Sequence, residues 1–239
     1  MNEMFTLNVD FCKYSVLLTG DNMEILNKVS KFHLLKNWVN TMDESIRIQS
    51  IKIQNVLMDE SDSIIYLKIS TLSIRNGCFI PRIVILEGNE IVTLLILIDK
   101  STEKKYCLMS DIVQIATGKR QYVIPFGKTH CEIPTKDYAY EFVSKQCGLI
   151  TDPSKYVNII KETKDMEYVH SNCGPCDHKA YIYLYETVLS TKEILDLEGK
   201  ETKPNIFNRI VDINDIDDKV NDFLSMCAIL YYKKYKEMH

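Results

Sequence analysis

The sequence lacks several features that would assign it to a broad class. It has no surplus of positive charge, because 29 basic and 33 acidic side chains give a net charge of -4, whereas proteins that wrap nucleic acid are usually basic. Its N-terminus lacks the basic segment and apolar core of a signal peptide. The longest apolar run, residues 91–98, is too short to cross a bilayer. We therefore expect no nucleic-acid partner, no membrane association and a cytoplasmic or nuclear location.

The cysteines are not arranged as a disulfide framework. Eight of them are scattered along 239 residues, several inside apolar runs, whereas disulfide-rich domains are short and secreted. This distribution predicts reduced, buried thiols. The sequence shows neither low-complexity segments nor internal repeats, and its 46% hydrophobic content is typical of a globular protein.

Residues 1–75 are predicted to form an N-terminal unit. Apolar residues recur at helical spacing between residues 22 and 42, which predicts a helix. Two alternating runs, at residues 46–58 and 64–74, predict an antiparallel hairpin. Because an isolated pair of strands is only marginally stable, we expect a partner surface to cover them and the protein to be a homodimer through these strands.

Residues 76–239 are predicted to form a second domain of mixed strands and helices. Periodicity predicts strands at residues 79–86, 91–99, 106–110, 122–124, 156–160 and 181–188. A helix is predicted at 136–146, ended by Gly148 as a left-handed cap. A last helix is predicted at 215–236, with one apolar face formed by Ile216, Val220, Phe223, Leu224, Cys227 and Leu230. This order of elements indicates an α+β fold, an α/β/α sandwich.

Residues 127–149 carry the most informative motif. Their sequence, GKTHCEIPTKDYAYEFVSKQCGL, follows the tripeptide IPF. It resembles the Nudix box, G-x5-E-x7-R-E-U-x-E-E-x-G-U, in which U is aliphatic. Gly127 and Gly148 have the spacing of the two family glycines, and Ala139 and Val143 occupy the apolar positions that pack the helix on the sheet. The resemblance implies a Nudix fold.

The charged positions of the box are replaced. In the Nudix family, the helix glutamates hold magnesium ions, which neutralise the pyrophosphate and activate water. Ile133 stands in place of the first glutamate. Glu141 and Phe142 replace the Arg-Glu pair. Lys145 and Gln146 replace the final Glu-Glu pair, and an ammonium and an amide cannot substitute for carboxylates at a divalent cation. The motif therefore predicts a Nudix-fold protein without catalytic residues or cofactor, which serves as a binding or assembly module.

The resemblance extends over most of the chain and is closest to the pyrophosphatases that act on ADP-ribose and ADP-glucose. Residues 32–39 resemble the N-terminal helix of that branch, and residues 171–177 and 197–202 resemble its SPGGCD and QGKET segments. Gln114 occupies the position of a phosphate-binding arginine, and Val123 that of a glutamate. We therefore expect the substrate-binding positions to be altered as well, with nucleoside diphosphate sugar binding still open.

A divergent hydrolase is the alternative function. Asp137 and Glu141 are four residues apart on the predicted helix, and Glu132 lies nearby in the sequence. Together these carboxylates could rebuild a weak site for Mg2+, which would then be the cofactor of a pyrophosphatase acting on ADP-ribose or an ADP-sugar. The competing interpretation is a solvated helix face.

A cluster of cysteines and histidines leaves a second question open. His170, Cys173, Cys176 and His178 form an H-x2-C-x2-C-x-H pattern, whose side chains are suitable zinc ligands. A turn set by the Gly-Pro dipeptide, with free thiols, is the competing interpretation. The same CGPC tetrapeptide occurs in thioredoxins, but here a predicted strand follows it rather than the helix that this redox chemistry needs.

Overall fold

The computed structural model describes residues 4–115, 118–130, 134–171 and 174–239. Within these ranges, no helix has the length and apolar character needed to cross a membrane. The chain divides into two compact units. The first contains residues 4–88, His130 and residues 174–178, and the second contains residues 89–129, 134–171 and 179–239.

A five-stranded sheet forms the first unit. Its strands, in spatial order, are β1 (Phe5–Asp10), β2 (Ser15–Gly20), β3 (Ile46–Met58), β4 (Ile64–Arg75) and β5 (Cys78–Leu86). Neighbours are antiparallel except β2 and β3, which are parallel. The long pairing of β3 with β4, in which Ile51 lies opposite Thr71, confirms the predicted hairpin. The strands β1 and β2 were not predicted, although apolar residues alternate along β1.

Two helices pack on this sheet, α1 (Met23–Lys31) and α2 (His33–Asn40). The single predicted helix is interrupted at Phe32, whose backbone is extended. Helix α1 begins where the Asn22 side chain accepts hydrogen bonds from the next turn. The helices and strands share one core that includes Leu26, Val29, Leu35, Val39, Ile48, Ile51, Leu67 and Ile69. The helices cover one face of the strands, and the homodimer stays a prediction.

The second unit is built on a nine-stranded sheet. Its strands are β6 (Asn89–Asp99), β7 (Lys105–Gln114), β8 (Lys119–Val123), β9 (Phe126–Thr129), β10 (Val157–Asn158), β11 (Val169–His170), β12 (Lys179–Leu189), β13 (Glu201–Lys203) and β14 (Ile206–Asp212). The main order is β10-β12-β6-β7-β14-β13, and β8, β9 and β11 pair with β7, β6 and β12 respectively. Only β6 and β12 run parallel among these pairs of the described chain.

Helices cover both faces of the second sheet. They are α3 (Lys136–Cys147), α4 (Ile159–Lys164), α5 (Thr191–Leu197), α6 (Ile216–Lys219) and α7 (Phe223–Met238). Leu95 on the central strand β6 packs in one core with Val143 of α3. Its neighbour Leu94 packs in a second core with Ile229 of α7. Burial on both faces explains the continuous apolar run of β6 and confirms the predicted α/β/α sandwich.

The C-terminal helix differs from the prediction. Residues 215–236 do not form one helix, because Asp222 caps a new one by accepting a 2.9 Å hydrogen bond from the Ser225 amide. Phe223 and Leu230, predicted on the buried face, are 58% and 64% exposed. The buried side chains of α7 are Ser225, Ala228, Ile229 and Tyr232.

Two further boundaries differ from the sequence-based ones. The first unit extends to Gly88 rather than ending at residue 75, because β5 pairs along its length with β4. The predicted strand at 156–160 is reduced to β10, because Asn158 caps α4 by accepting hydrogen bonds from the Ile160 and Lys161 amides.

The six cysteines in the described part of the chain are free thiols. Cys107 and Cys147 are buried, and loss of hydration raises the pKa of the Cys147 thiol to about 12. Cys12 and Cys78 are exposed, so the prediction of buried thiols is wrong for these two.

Candidate functional site

The motif begins on a strand of the second sheet and ends with the helix that packs against that sheet. Gly127 lies in β9, opposite Ile91 of β6. Helix α3 buries Ala139 and Val143 against the same sheet, as the motif predicted. The helix ends at Gly148, whose φ of 63° confirms the left-handed cap. The backbone scaffold of the motif is therefore present.

Phe142 occupies the space between helix α3 and the glycine strand. A Cβ built on Gly127 would lie 2.4 Å from Cε2 of the Phe142 ring. Real Cβ atoms essentially never come so close to another heavy atom, so only glycine fits here while the ring keeps this position. The ring also packs against the core under α3. An apolar group therefore stands at a position where the Nudix motif has a carboxylate.

Two charged side chains of the motif, Glu141 and Lys145, form an ion pair on the surface of α3. Lys145 Nζ lies 3.1 Å from Glu141 Oε2, one helical turn away, and both side chains are mostly exposed. Such a pair contributes little to stability, but it places an ammonium beside the one carboxylate among the described box positions. Gln146 is half-buried. Among Glu141, Lys145 and Gln146 the only carboxylate is that of Glu141, and it is paired with the Lys145 ammonium.

The carboxylates of the alternative magnesium site do not form a group in the described chain. Asp137 accepts a 3.4 Å hydrogen bond from Thr135 at the start of α3, and Glu141 pairs with Lys145. Glu132 and Ile133 lie outside the described residues. Within the described ranges, potential metal ligands meet in threes only at Glu87, Cys176 and His178 in the first unit.

Gln114 and Val123, which the sequence comparison placed at substrate-binding positions, have different environments. Gln114 is exposed at the end of β7, opposite Lys119 of β8. Val123 is buried at the end of β8, so its side chain has become part of the protein interior. Neither side chain carries a charge.

A buried charge network was missed by the sequence analysis. Asp111 on β7 is 1% exposed and accepts hydrogen bonds from Arg120 at 2.9 Å and from Arg209 at 3.2 Å. Arg209 also pairs with Glu198, and these bonds raise the pKa of the Arg209 guanidinium. The network joins β7, β8 and β14. Asp111 and Arg209 are 98 residues apart, so no local sequence pattern indicates that they pair.

The predicted zinc set is brought together only in part. Cys176 and His178 lie near each other in the first unit, where Glu87, which the sequence analysis did not single out, joins them. His170 belongs to the second unit, where its exposed ring makes an edge contact with Tyr168 at 5.5 Å. Cys173 lies outside the described residues. A strand, β12, follows the CGPC segment as predicted.

Comparisons with known proteins address the fold. A solved structure described as an ADP compounds hydrolase is similar to this chain with a TM-score of 0.56, and the match covers 83% of this chain and 97% of that chain. The chain has a Nudix-like fold. The two sequences are 10% identical, so the likeness concerns the fold alone. No protein-family model matches the chain, and no curated protein matches it.

Proposed function

We propose that the protein is a catalytically inactive Nudix-fold protein that serves as a binding or assembly module. The observation that carries this proposal is the Phe142 ring, which lies against Gly127 at a box position where the family has a metal-binding carboxylate. The Nudix-like fold supports the comparison with the box. The scaffold is kept while its chemical groups are replaced.

Magnesium does not fit the described residues of the box. Mg2+ requires oxygen ligands in nearly octahedral geometry, and a phenyl ring offers none. The ring lies against Gly127 and so leaves no room there for a side-chain carboxylate. The Lys145 ammonium adds a like charge on the same helix, where its only described ion-pair partner is Glu141. A reaction that depends on metal-activated water therefore has no support at this position.

The ligand class to test first is a nucleoside diphosphate compound. The similar structure is described as an ADP compounds hydrolase, and the motif resemblance points to ADP-sugars. A binding module requires shape and hydrogen bonding rather than metal ligands. Any binding of ADP-ribose by this protein should therefore be the same in magnesium and in EDTA, as measured by calorimetry.

Hydrolysis is tested directly. The protein is incubated with ADP-ribose, ADP-glucose and UDP-glucose in magnesium or manganese, and nucleoside monophosphate is measured against an active Nudix hydrolase. We expect no release above the blank, because metal-dependent stabilisation of the transition state is absent. Metal-dependent turnover that disappears in Glu141→Gln would establish the alternative hydrolase instead.

A double variant tests whether two carboxylates are sufficient. Lys145→Glu with Gln146→Glu restores the final pair of the motif, yet Ile133, Phe142 and Gln114 remain. We expect it to stay inactive and to change the free energy of unfolding by less than about 1 kcal/mol, in line with surface substitutions. Recovery of hydrolysis would show that the Phe142 ring does not block the site. Unfolding of the variant would show that this helix face is a packed surface.

A further inference from the structure

Three side chains of different chemistry converge in the first unit. A carboxylate oxygen of Glu87, the thiol sulfur of Cys176 and a ring nitrogen of His178 all lie within 4.8 Å of one another. His178 Nε2 lies 3.5 Å from Glu87 Oε2. The first two of these residues are far apart in the sequence, so the fold alone brings them together.

Backbone pairing fixes this arrangement. The Ile85 amide donates to the Pro175 carbonyl at 2.8 Å, and the Asp177 amide donates to the Ile85 carbonyl at 3.2 Å. These bonds form a parallel bridge between Ile85 and Cys176. The Asp177 side chain also accepts a 3.1 Å hydrogen bond from the Glu87 amide. The segment 174–178 therefore lies beside the end of β5 in a defined register.

The register explains why the three side chains share one side. In extended chains, residues two apart point to the same face, and directly paired residues do so as well. Cys176 pairs with Ile85, and His178 and Glu87 lie two positions further along their respective segments. The backbone thus presents the Cys176, His178 and Glu87 side chains together without an unusual conformation.

We propose that Glu87, Cys176 and His178 bind a zinc ion. Thiolate, imidazole and carboxylate are the ligands that zinc takes in proteins, whereas magnesium and calcium avoid sulfur. With zinc–ligand bonds of about 2.0–2.3 Å, ligand atoms around a tetrahedral ion are about 3.3–3.7 Å apart. The His178 to Glu87 contact already has this length. The sulfur lies within 4.8 Å of the other two ligand atoms, so a side-chain movement of about 1 Å or less brings it to this distance.

Burial and charge also suit a metal ion. His178 is buried and the other two residues are partly buried. A carboxylate and a thiolate carry two negative charges, which the two positive charges of zinc balance, so the complex is neutral in a half-buried position. Three protein ligands leave a fourth tetrahedral position for water or another group. Such an ion would fasten the segment 174–178 to the end of β5.

Metal content is the first test, and it does not depend on the hydrolase question. The purified full-length protein is loaded with zinc, desalted and analysed by mass spectrometry, and its cobalt form is recorded by absorption. We expect about one zinc ion per chain and a thiolate-to-cobalt charge-transfer band with the strong visible bands of tetrahedral cobalt. A protein without stoichiometric metal and without these bands would overturn the proposal, leaving a His178–Glu87 ion pair as the explanation of the cluster.

Variants locate the ion. Cys176→Ser should lose the charge-transfer band, and His178→Ala should lose most of the zinc. Cys78→Ser, which removes an exposed cysteine of the same unit outside the cluster, should retain both. Full zinc content in the double variant Cys176→Ser/His178→Ala would place the ion elsewhere and contradict the proposal. If the variants do not fold, the wild-type protein still tests the proposal, because a chelator should lower the Tm of a protein that holds a structural ion. A Tm that the chelator leaves unchanged would contradict the proposal.

Discussion

The ring of Phe142 lies against the backbone of Gly127, so that a Cβ on the glycine would be 2.4 Å from Cε2 and 2.6 Å from Cδ2 of the ring. One residue lies on a strand and the other on the helix that packs over it. The motif resemblance places Phe142 where the Nudix box has a glutamate. Because the two residues are in contact, their positions should be energetically coupled.

Substitution of Gly127 tests that coupling. Gly127→Ala should lower the free energy of unfolding by about 1–3 kcal/mol, because the new methyl group overlaps the ring. Phe142→Ala also destabilises by leaving a cavity, but it makes room for the methyl group. The loss of unfolding free energy in the double variant should therefore be smaller than the sum of the two single-variant losses, by at least about 0.5 kcal/mol. Urea denaturation measures all four proteins, and strictly additive losses would show that the ring does not occupy this space.

The sequence predicted the scaffold better than the site. Periodicity gave the β3–β4 hairpin, the α3 helix and the Gly148 cap, because these depend on local spacing. It missed the interruption at Phe32, where neither proline nor glycine marks the boundary. The motif identified Phe142 as a replaced position, but the contact with Gly127 depends on how α3 packs on the sheet.

Long-range groupings could not be predicted from the sequence. Glu87 joins Cys176 only because residues 174–178 pair with the end of β5. His170, which the sequence pattern placed among the zinc ligands, belongs to the other unit. Spacing along the chain identified two of the three clustered residues, and tertiary structure supplied the third.

The environment of Asp99 should make the free energy of unfolding depend on pH. Hydrogen bonds from Ser101 and Thr191 hold the pKa of the Asp99 carboxyl well below its usual range. A lowered folded-state pKa stabilises the protein above the unfolded-state value of about 3.9, and this contribution is lost as the pH falls below it. Asp99→Asn should therefore flatten the decrease in unfolding free energy between about pH 4 and pH 2.

A matched variant controls for the change of charge. Asp196 is an exposed aspartate of α5, the helix that begins at Thr191. Urea denaturation at several pH values should show that Asp196→Asn keeps the acid dependence of the wild type. An Asp99→Asn profile that coincides with the wild-type profile would contradict the assigned role of its hydrogen bonds.

The homodimer prediction identifies a testable surface. Leu57 of β3 and Ile65 of β4 lie on the two strands of this prediction and are 50% and 36% exposed. If two copies associate through these strands, Leu57→Asp should convert a dimer into a monomer, because an unpaired charge would be buried. Leu230→Asp on α7, also at an exposed apolar side chain, should leave the dimer intact. Light scattering that shows a wild-type monomer at micromolar concentration would remove the prediction.

The most direct test of the central claim is whether a divalent cation binds between β9 and α3. Manganese is paramagnetic and broadens the amide signals of residues near its binding site, so isotope-labelled protein is titrated with Mn2+ and compared with an Mg2+ control. The titration is made on the Cys176→Ser/His178→Ala variant, which removes two of the proposed zinc ligands, and the account predicts that its Gly127 and Phe142 signals keep their intensity. Selective broadening at Gly127 and Phe142, reversed by EDTA, would show that the Nudix metal site has survived and would contradict the account.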